Sequence, residues 1–408
     1  MYCAVGLWNS FFIMLYSVFD VSRLMRWSTR STEEIFALFI SIAFCVDASR
    51  DTYHNFNRNY LSAACQGVAS NATQYLAAAN GTDSQQGECL RESSVLYLLL
   101  MLGTLWVGVS LYNFNKTPYL EAGKRELLAD YALPVAVLVM TFVGSYLFRD
   151  VKLAPFEYRD DNTVQLVSLS GLGAAAVCGS AGLGFCLSLL FFMDQNISSA
   201  MVNNPSNKLK KGPAYHLDLL VVALLNGLLS VLGLPWMHAA IPHSPLHVRC
   251  LADVEERVEQ GHVYEIIVRV RETRLTGILS HLLIGLSLLL LPYPLSYIPP
   301  PVLSGLFLYM AITALNGNQM FERITLLFTE QVAYPPNHYI RRVPQRKIHT
   351  FTGCQLAQLI VLCAFGFAPW PYMKTLFPVL LLLLLPIRHC LLPQLVEEKY
   401  LAAIDSQH

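Results

Sequence analysis

This sequence predicts an all-α membrane protein that crosses the bilayer many times, and three observations carry that expectation. Of its 408 residues, 54% are apolar and only 14% are charged, against about 25% charged in a typical soluble domain. The mean hydropathy is +0.43. The apolar residues also fall in long uncharged blocks rather than short alternating runs, and several approach the roughly 20 residues a helix needs to span the hydrocarbon core. Basic and acidic residues number 28 each, for a formal net charge of zero. That excludes a nucleic-acid binder held by a basic surface, and so apolar a chain is not disordered.

In chain order, the expected spans cover residues 2–19, 35–46, 93–115, 131–148, 165–193 and 219–237, then two helices within 275–321, then 351–372 and 375–392. The first block lacks a basic leading region and a small-residue cleavage site, so it reads as a span rather than a cleavable leader. Pro292, Pro294 and Pro299 to Pro301 mark the turn inside 275–321. Placing the loop around Arg23–Arg30 in the cytoplasm puts most Lys and Arg inside, in groups at 23–30, 116–125, 208–211, 249–274, 323–347 and 388–399. Only Arg50, Arg58, Arg91, Arg149, Lys152, Arg159 and Lys374 fall outside. The basic stretch 341–347 reads as an anchor against anionic lipid.

That topology leaves 51–92 as one long outer polar loop. It holds two glycosylation sequons, at Asn71 and Asn80, and two cysteines, Cys65 and Cys89, able to pair in an oxidising compartment. The sequons at Asn115 and Asn196 fall on the inner side. The remaining cysteines make no CxxC or Cys/His pattern, so no metal or cofactor is expected.

Chemistry in a membrane concentrates where the backbone is irregular or a charge is buried. The segment after 219–237 carries Pro235, Pro242 and Pro245 with His238, His243 and His247 among them. Ser244-Pro245 reads as an N-cap followed by proline at the first helical position, opening a half-helix over 245–254 whose free amides face the membrane interior. A plain proline-rich turn is the alternative. Asp194 closes the block 165–193. There it either relays protons or holds a coupling cation, or it ends a helix in water, and spacing does not separate these. Asp194, His243, Ser244 and His247 are the candidate substrate-binding residues. No nucleophile–base pair or phosphate loop suggests an enzyme.

The stretches Arg30-Ser-Thr-Glu-Glu34, Leu102-Gly-Thr-Leu-Trp106, Phe192-Met-Asp-Gln-Asn196, Gly233-Leu-Pro-Trp236, Pro242-His-Ser-Pro-Leu-His-Val-Arg249, Ile298-Pro-Pro-Pro-Val302 and the run from Ala333 to His349 resemble the bicarbonate-transporter family, solute carrier family 4. Within it they are most similar to the borate-transporter-like branch associated with proton or hydroxide conduction. The resemblance implies fourteen membrane segments in two inverted repeats of seven. The chain would start at the fourth segment, without the first three and without the family's cytoplasmic amino-terminal domain. Residues 1–150 would hold segments four to seven, 165–392 segments eight to fourteen, and 393–408 a cytoplasmic tail. It further implies alternating access, a homodimer in the plasma membrane (basolateral in epithelia), and inorganic anions, borate, protons or hydroxide as cargo, with sodium a candidate coupling ion. Anion-exchanging members carry a glutamate where this chain has Asp194 and an arginine where it has His243. A titratable pair in place of a fixed cation suits protons, hydroxide or a weak acid better than chloride exchange. The competing expectation is a membrane protein that transports nothing and serves assembly or interaction.

Overall fold

The computed structural model describes residues 1–27, 29–61, 65, 90–153, 166–168, 171–239, 243–259, 262–290, 293, 295–330, 334 and 338–405. Asn71, Asn80 and Cys89 lie outside them, while Cys65 takes part in a disulfide. The described chain is mainly helical. Among the described residues four helices are long and apolar enough to cross a membrane, Arg91–Lys116, Ala174–Val202, Gln345–Gly366 and Tyr372–Leu395, or up to six if two bent pairs each make one span, and shorter apolar helices cover Tyr2–Val18, Tyr215–Val231 and Leu275–Leu290.

Two compact units divide the molecule. Each draws on both halves of the sequence. The first comprises Met1–Phe39, Asp161–Arg274 and Gly317–His408. Here helix α1 (Tyr2–Val18) lies against α6 (Ala174–Val202) and α7 (Tyr215–Val231). The approach is close because small residues meet at the crossings. A Cβ added at Gly184 would fall 2.6 Å from Trp8 Cβ and 3.0 Å from the Val5 carbonyl. A separate apolar cluster, including Phe351, Leu392, Val396, Leu401 and Ile404, joins the helix Gln345–Gly366 to the terminal helices Leu392–Leu395 and Glu398–Ile404. The long α2 (Arg30–Asn55) begins in this unit.

The second unit, Ile40–Asp160 with Leu275–Asn316, is built on α3 (Arg91–Asn113), α5 (Ala132–Phe142) and α10 (Pro300–Ala314). Leu96, Leu100, Met140 and Val302 form its core. Tyr97 and Ser304 hydroxyls meet at 3.1 Å inside it. The short α4 (Ala122–Asp130) bends 59° into the α5 run, with Pro134 in the first turn of α5. Helix α9 (Leu275–Leu286) has no buried residue, and Ile278, Leu282, Leu283 and Ile284 stand exposed. Such a surface suits lipid, which is as apolar as leucine.

The structure corrects four expectations. Helix α6 starts at Ala174, after Gly173 in extended conformation, and runs past Asp194 to Val202; the block 165–193 is therefore misplaced at both ends. Helix α7 stops at Val231 rather than Met237. Helix α8 spans His243–Cys250, so Ser244 is its second residue and not its N-cap, and it does not reach Val254. The chain turns instead into an antiparallel hairpin, β1 (Ala252–Glu259) and β2 (His262–Val270), so the molecule is not all-α. The alternation of Tyr264, Ile266, Val268 and Val270, with Glu265 and Arg269 on the other face, carries that signal in the sequence.

Candidate functional site

The site is built where α7 ends. Leu232 closes the helix, and Gly233 follows at φ +68°, a left-handed conformation that a side chain would strain. The Gly233 amide donates to Ser230 O at 3.2 Å and the Leu234 amide to Leu229 O at 2.9 Å. That pair of reversed bonds is a Schellman stop. Pro235 then prevents the helix from resuming. Residues 234–239 consequently run without helical hydrogen bonds, and side chains take over the backbone groups. Asn226 Nδ2 donates to Met237 O, and Met237 N donates to Asn226 Oδ1, both at 2.8 Å. Ala239 N donates to Gln195 Oε1 at 3.0 Å. Trp236 stacks on Tyr2 with ring centres 4.2 Å apart.

These contacts bring His238 to Asp194. His238 Nδ1 lies 3.7 Å from Asp194 Oδ2, and its ring centre is 4.8 Å from that of Phe191, one turn before Asp194 on α6. Nδ1 is also 2.9 Å from the Ala239 carbonyl. A carbonyl only accepts, so Nδ1 carries the hydrogen in this arrangement and Nε2 is left for other partners. Asp194 is 7% exposed, which excludes the water-exposed helix end. Its Oδ1 has no hydrogen-bond partner among the described residues, nor has Trp236 Nε1. A buried polar atom left so costs about 1–3 kcal/mol, and arrangements of that kind persist where a proton, ion or water is handled.

Polar residues continue along α6 without breaking it. Asn196 and Asn203 donate their amides to the carbonyls of Phe192 and Ser199, one turn back, each at 2.8 Å. Ser199 reaches Asp218 on α7 at 3.2 Å. This explains how Asp194 can sit about two turns inside the helix.

Of the residues expected from sequence, Asp194 is at the centre. His243 is exposed at the start of α8, Ser244 is half-buried beside it, and His247 is exposed one turn on. The imidazole facing Asp194 is His238, so the expected pairing of Asp194 with His243 is replaced. His238, Gln195, Asn226 and Trp236 were not read as a site. The signal lies in Gly233-Leu-Pro235: a helix stop followed by proline puts His238 on unwound chain.

Comparison with known proteins bears on what this geometry serves. Residues 1–408 match the family model described as HCO3- transporter integral membrane domain. The chain is 49% identical over 430 residues to solute carrier family 4 member 11 of Homo sapiens, covering all of this chain and 49% of that protein. The Mus musculus protein of the same name is 50% identical over 432 residues, with 100% and 50% covered. Anion exchange protein 3 of Homo sapiens is 31% identical over 439 residues, with 99% and 34% covered. The chain thus spans about half the length, or less, of the curated relatives it matches.

Proposed function

The chain belongs to the bicarbonate-transporter family, and on that premise we propose that it moves inorganic ions across a membrane, with acid–base equivalents as the cargo. Protons, hydroxide, or a weak acid such as boric acid or bicarbonate pass by the Asp194–His238 pair. The observation that carries this reading is the buried carboxylate, one oxygen without a partner among the described residues, set 3.7 Å from an imidazole on unwound backbone. Both groups take and release protons, and neither is a fixed cation. The chemistry favours a species whose charge changes on protonation over chloride. Unwound backbone beside a half-helix is how secondary transporters build their ion sites.

The finer picture belongs to the same proposal. The fold is two inverted repeats working by alternating access, as a homodimer in the plasma membrane. Asn71 and Asn80 are glycosylated in an outer loop that Cys65 and Cys89 brace. Asp194, His238 and the polar start of α8 with His243, Ser244 and His247 line the path. No enzymatic step enters this reading, in keeping with relatives that are a solute carrier and an anion exchanger.

The test is intracellular pH in cells expressing this chain while external pH is stepped, with and without bicarbonate, borate and sodium. A pH-driven flux that Asp194→Asn and His238→Gln abolish at unchanged surface level is the expected result. Flux indifferent to both substitutions would refute the assignment of the site. Dependence on bicarbonate, borate or sodium identifies the cargo and its coupling.

A further inference from the structure

We propose that Asn226 is a positioning residue for transport: its carboxamide holds the unwound segment so that His238 faces Asp194. The proposal rests on the reading of Asp194 and His238 above and deepens it.

Asn226 is fully buried in the apolar helix α7. A carboxamide there must satisfy one acceptor and a donor group, and in an apolar helix those partners have to come from protein. Asn226 uses both ends on one residue, taking the Met237 amide and giving to the Met237 carbonyl at 2.8 Å each. This is the two-bond exchange that a neighbouring β-strand would offer to extended backbone, supplied here by a side chain. Gln195, next to Asp194 on α6, holds the Ala239 amide at 3.0 Å. The two clamps therefore grip the residues on either side of His238, one from α7 and one from α6. The clamps set which residue meets Asp194: a slip of one residue at Met237 would move His238 off it. The Phe191 ring at 4.8 Å then fixes the imidazole tilt. The titratable and charged side chains on the surrounding elements are Tyr2, Cys3 and Tyr16 on α1, Cys178, Cys186 and Asp194 on α6, Tyr215, His216 and Asp218 on α7, and His243, His247, Arg249 and Cys250 on α8; of these, Asp194 comes within 3.7 Å of His238.

The amide can be replaced by a group that imitates it conditionally. In Asn226→Asp, an ionised carboxylate accepts from the Met237 amide but repels the Met237 carbonyl. Once protonated, its O–H donates to that carbonyl and both bonds return. Asn226→Leu has the size and neither bond. The expected result is a pH-driven flux reduced about tenfold or more in Asn226→Leu at every pH, the cost of orphaning buried backbone groups. In Asn226→Asp, flux relative to the unsubstituted chain should be low at alkaline pH and climb towards it as pH falls. A purely structural asparagine gives no such reversible recovery. Asn226→Asp and Asn226→Leu suppressed in parallel at all pH, or Asn226→Leu with full flux, would overturn the proposal.

A second measurement needs no transport. Amide exchange across 234–239 in the full chain, in lipid nanodiscs, should speed about tenfold or more in Asn226→Leu and remain slow in Asp194→Asn. Unchanged protection in Asn226→Leu would overturn the clamp. If Asp194→Asn leaves flux intact, the reading of the site fails while exchange still decides the clamp. If Asp194→Asn abolishes flux and Asn226→Leu does not, only the clamp fails.

Discussion

Two buried charged regions of the first unit are built in opposite ways. At the start of α2, Glu34 accepts from Arg30 at 3.0 Å through one oxygen and from Arg323 at 2.8 Å through the other. Arg323, on α11 (Gln319–Thr325) and 1% exposed, also donates to Gln355 Oε1 at 2.9 Å and lies over the Phe351 ring at 5.3 Å. Gln355 returns a bond to Ser31 Oγ at 2.8 Å. The Ser31 amide donates to Asp405 at 2.8 Å, and Arg388 closes the chain on the other Asp405 oxygen. Each carboxylate oxygen in this network is held. In the other region Asp194 has one oxygen at 3.7 Å from an imidazole and one with no described partner. Both carboxylates of the first network are paired, although Arg323 Nε has no partner among the described residues; at Asp194 it is the carboxylate itself that is left open, and an open buried carboxylate is expensive to keep unless it is used. The contrast sets a structural lock beside the proposed site.

The lock should break hardest. Arg323→Leu leaves Glu34 buried with only the half-exposed Arg30, and about 3–5 kcal/mol of stability should go. Thermal unfolding in detergent reads it. Adding Glu34→Gln should restore part of the loss, because a buried pair removed together costs less than either half removed alone. A single substitution at Arg323 with no effect on unfolding would dissolve the distinction between the two regions.

Next comes the end of the lock formed by the terminal helix. Asp405 caps an amide in the first turn of α2, where a carboxylate is favoured, and pairs with Arg388. Asp405→Ala should cost about 2 kcal/mol, visible as a lower unfolding temperature. Ser31→Ala, which spares the backbone amide, should cost less.

The smallest effect belongs to an exposed pair, which sharpens the comparison by removing burial. In the hairpin, the Arg269 hydrogen bond, then Arg271, hold the Asp253 carboxyl below its ordinary range. The sign follows. A carboxyl lowered in the folded state adds stability that is present above its unfolded value and disappears as pH falls through the lowered one. Hairpin amide protection should therefore decline on acidification in the unsubstituted chain. In Asp253→Asn that decline should vanish, with no measurable change in global unfolding.

How far sequence reasoning reached differs between these regions for physical reasons. The apolar blocks were legible because lipid demands length and hydropathy. Asp194 was legible because a charge closing an uncharged block is costly. The ends of α6 and α7 were not, since an apolar run says nothing about where its hydrogen bonds stop; Gly173 and Gly233 decide that locally. The hairpin over 252–270 falls where the charge pattern expects an inner basic loop, with the half-helix reaching only to 254. The Glu34–Arg323 lock was out of reach, because its members are separated by almost 300 positions and only packing brings them together. His238 was in view among three histidines, and the choice between them needed the bonds from Asn226 and Gln195.

The central claim is that the Asp194 region is kept for transport and the Glu34 region for stability. Asp194→Asn, reconstituted in liposomes at matched folded protein and driven by a pH step, tests it most directly. Asparagine keeps the shape and removes the titrating charge. The account expects pH-driven flux to fall to background while the unfolding temperature holds or rises. Flux equal to the unsubstituted chain, or a protein that unfolds as readily as Arg323→Leu, would contradict it.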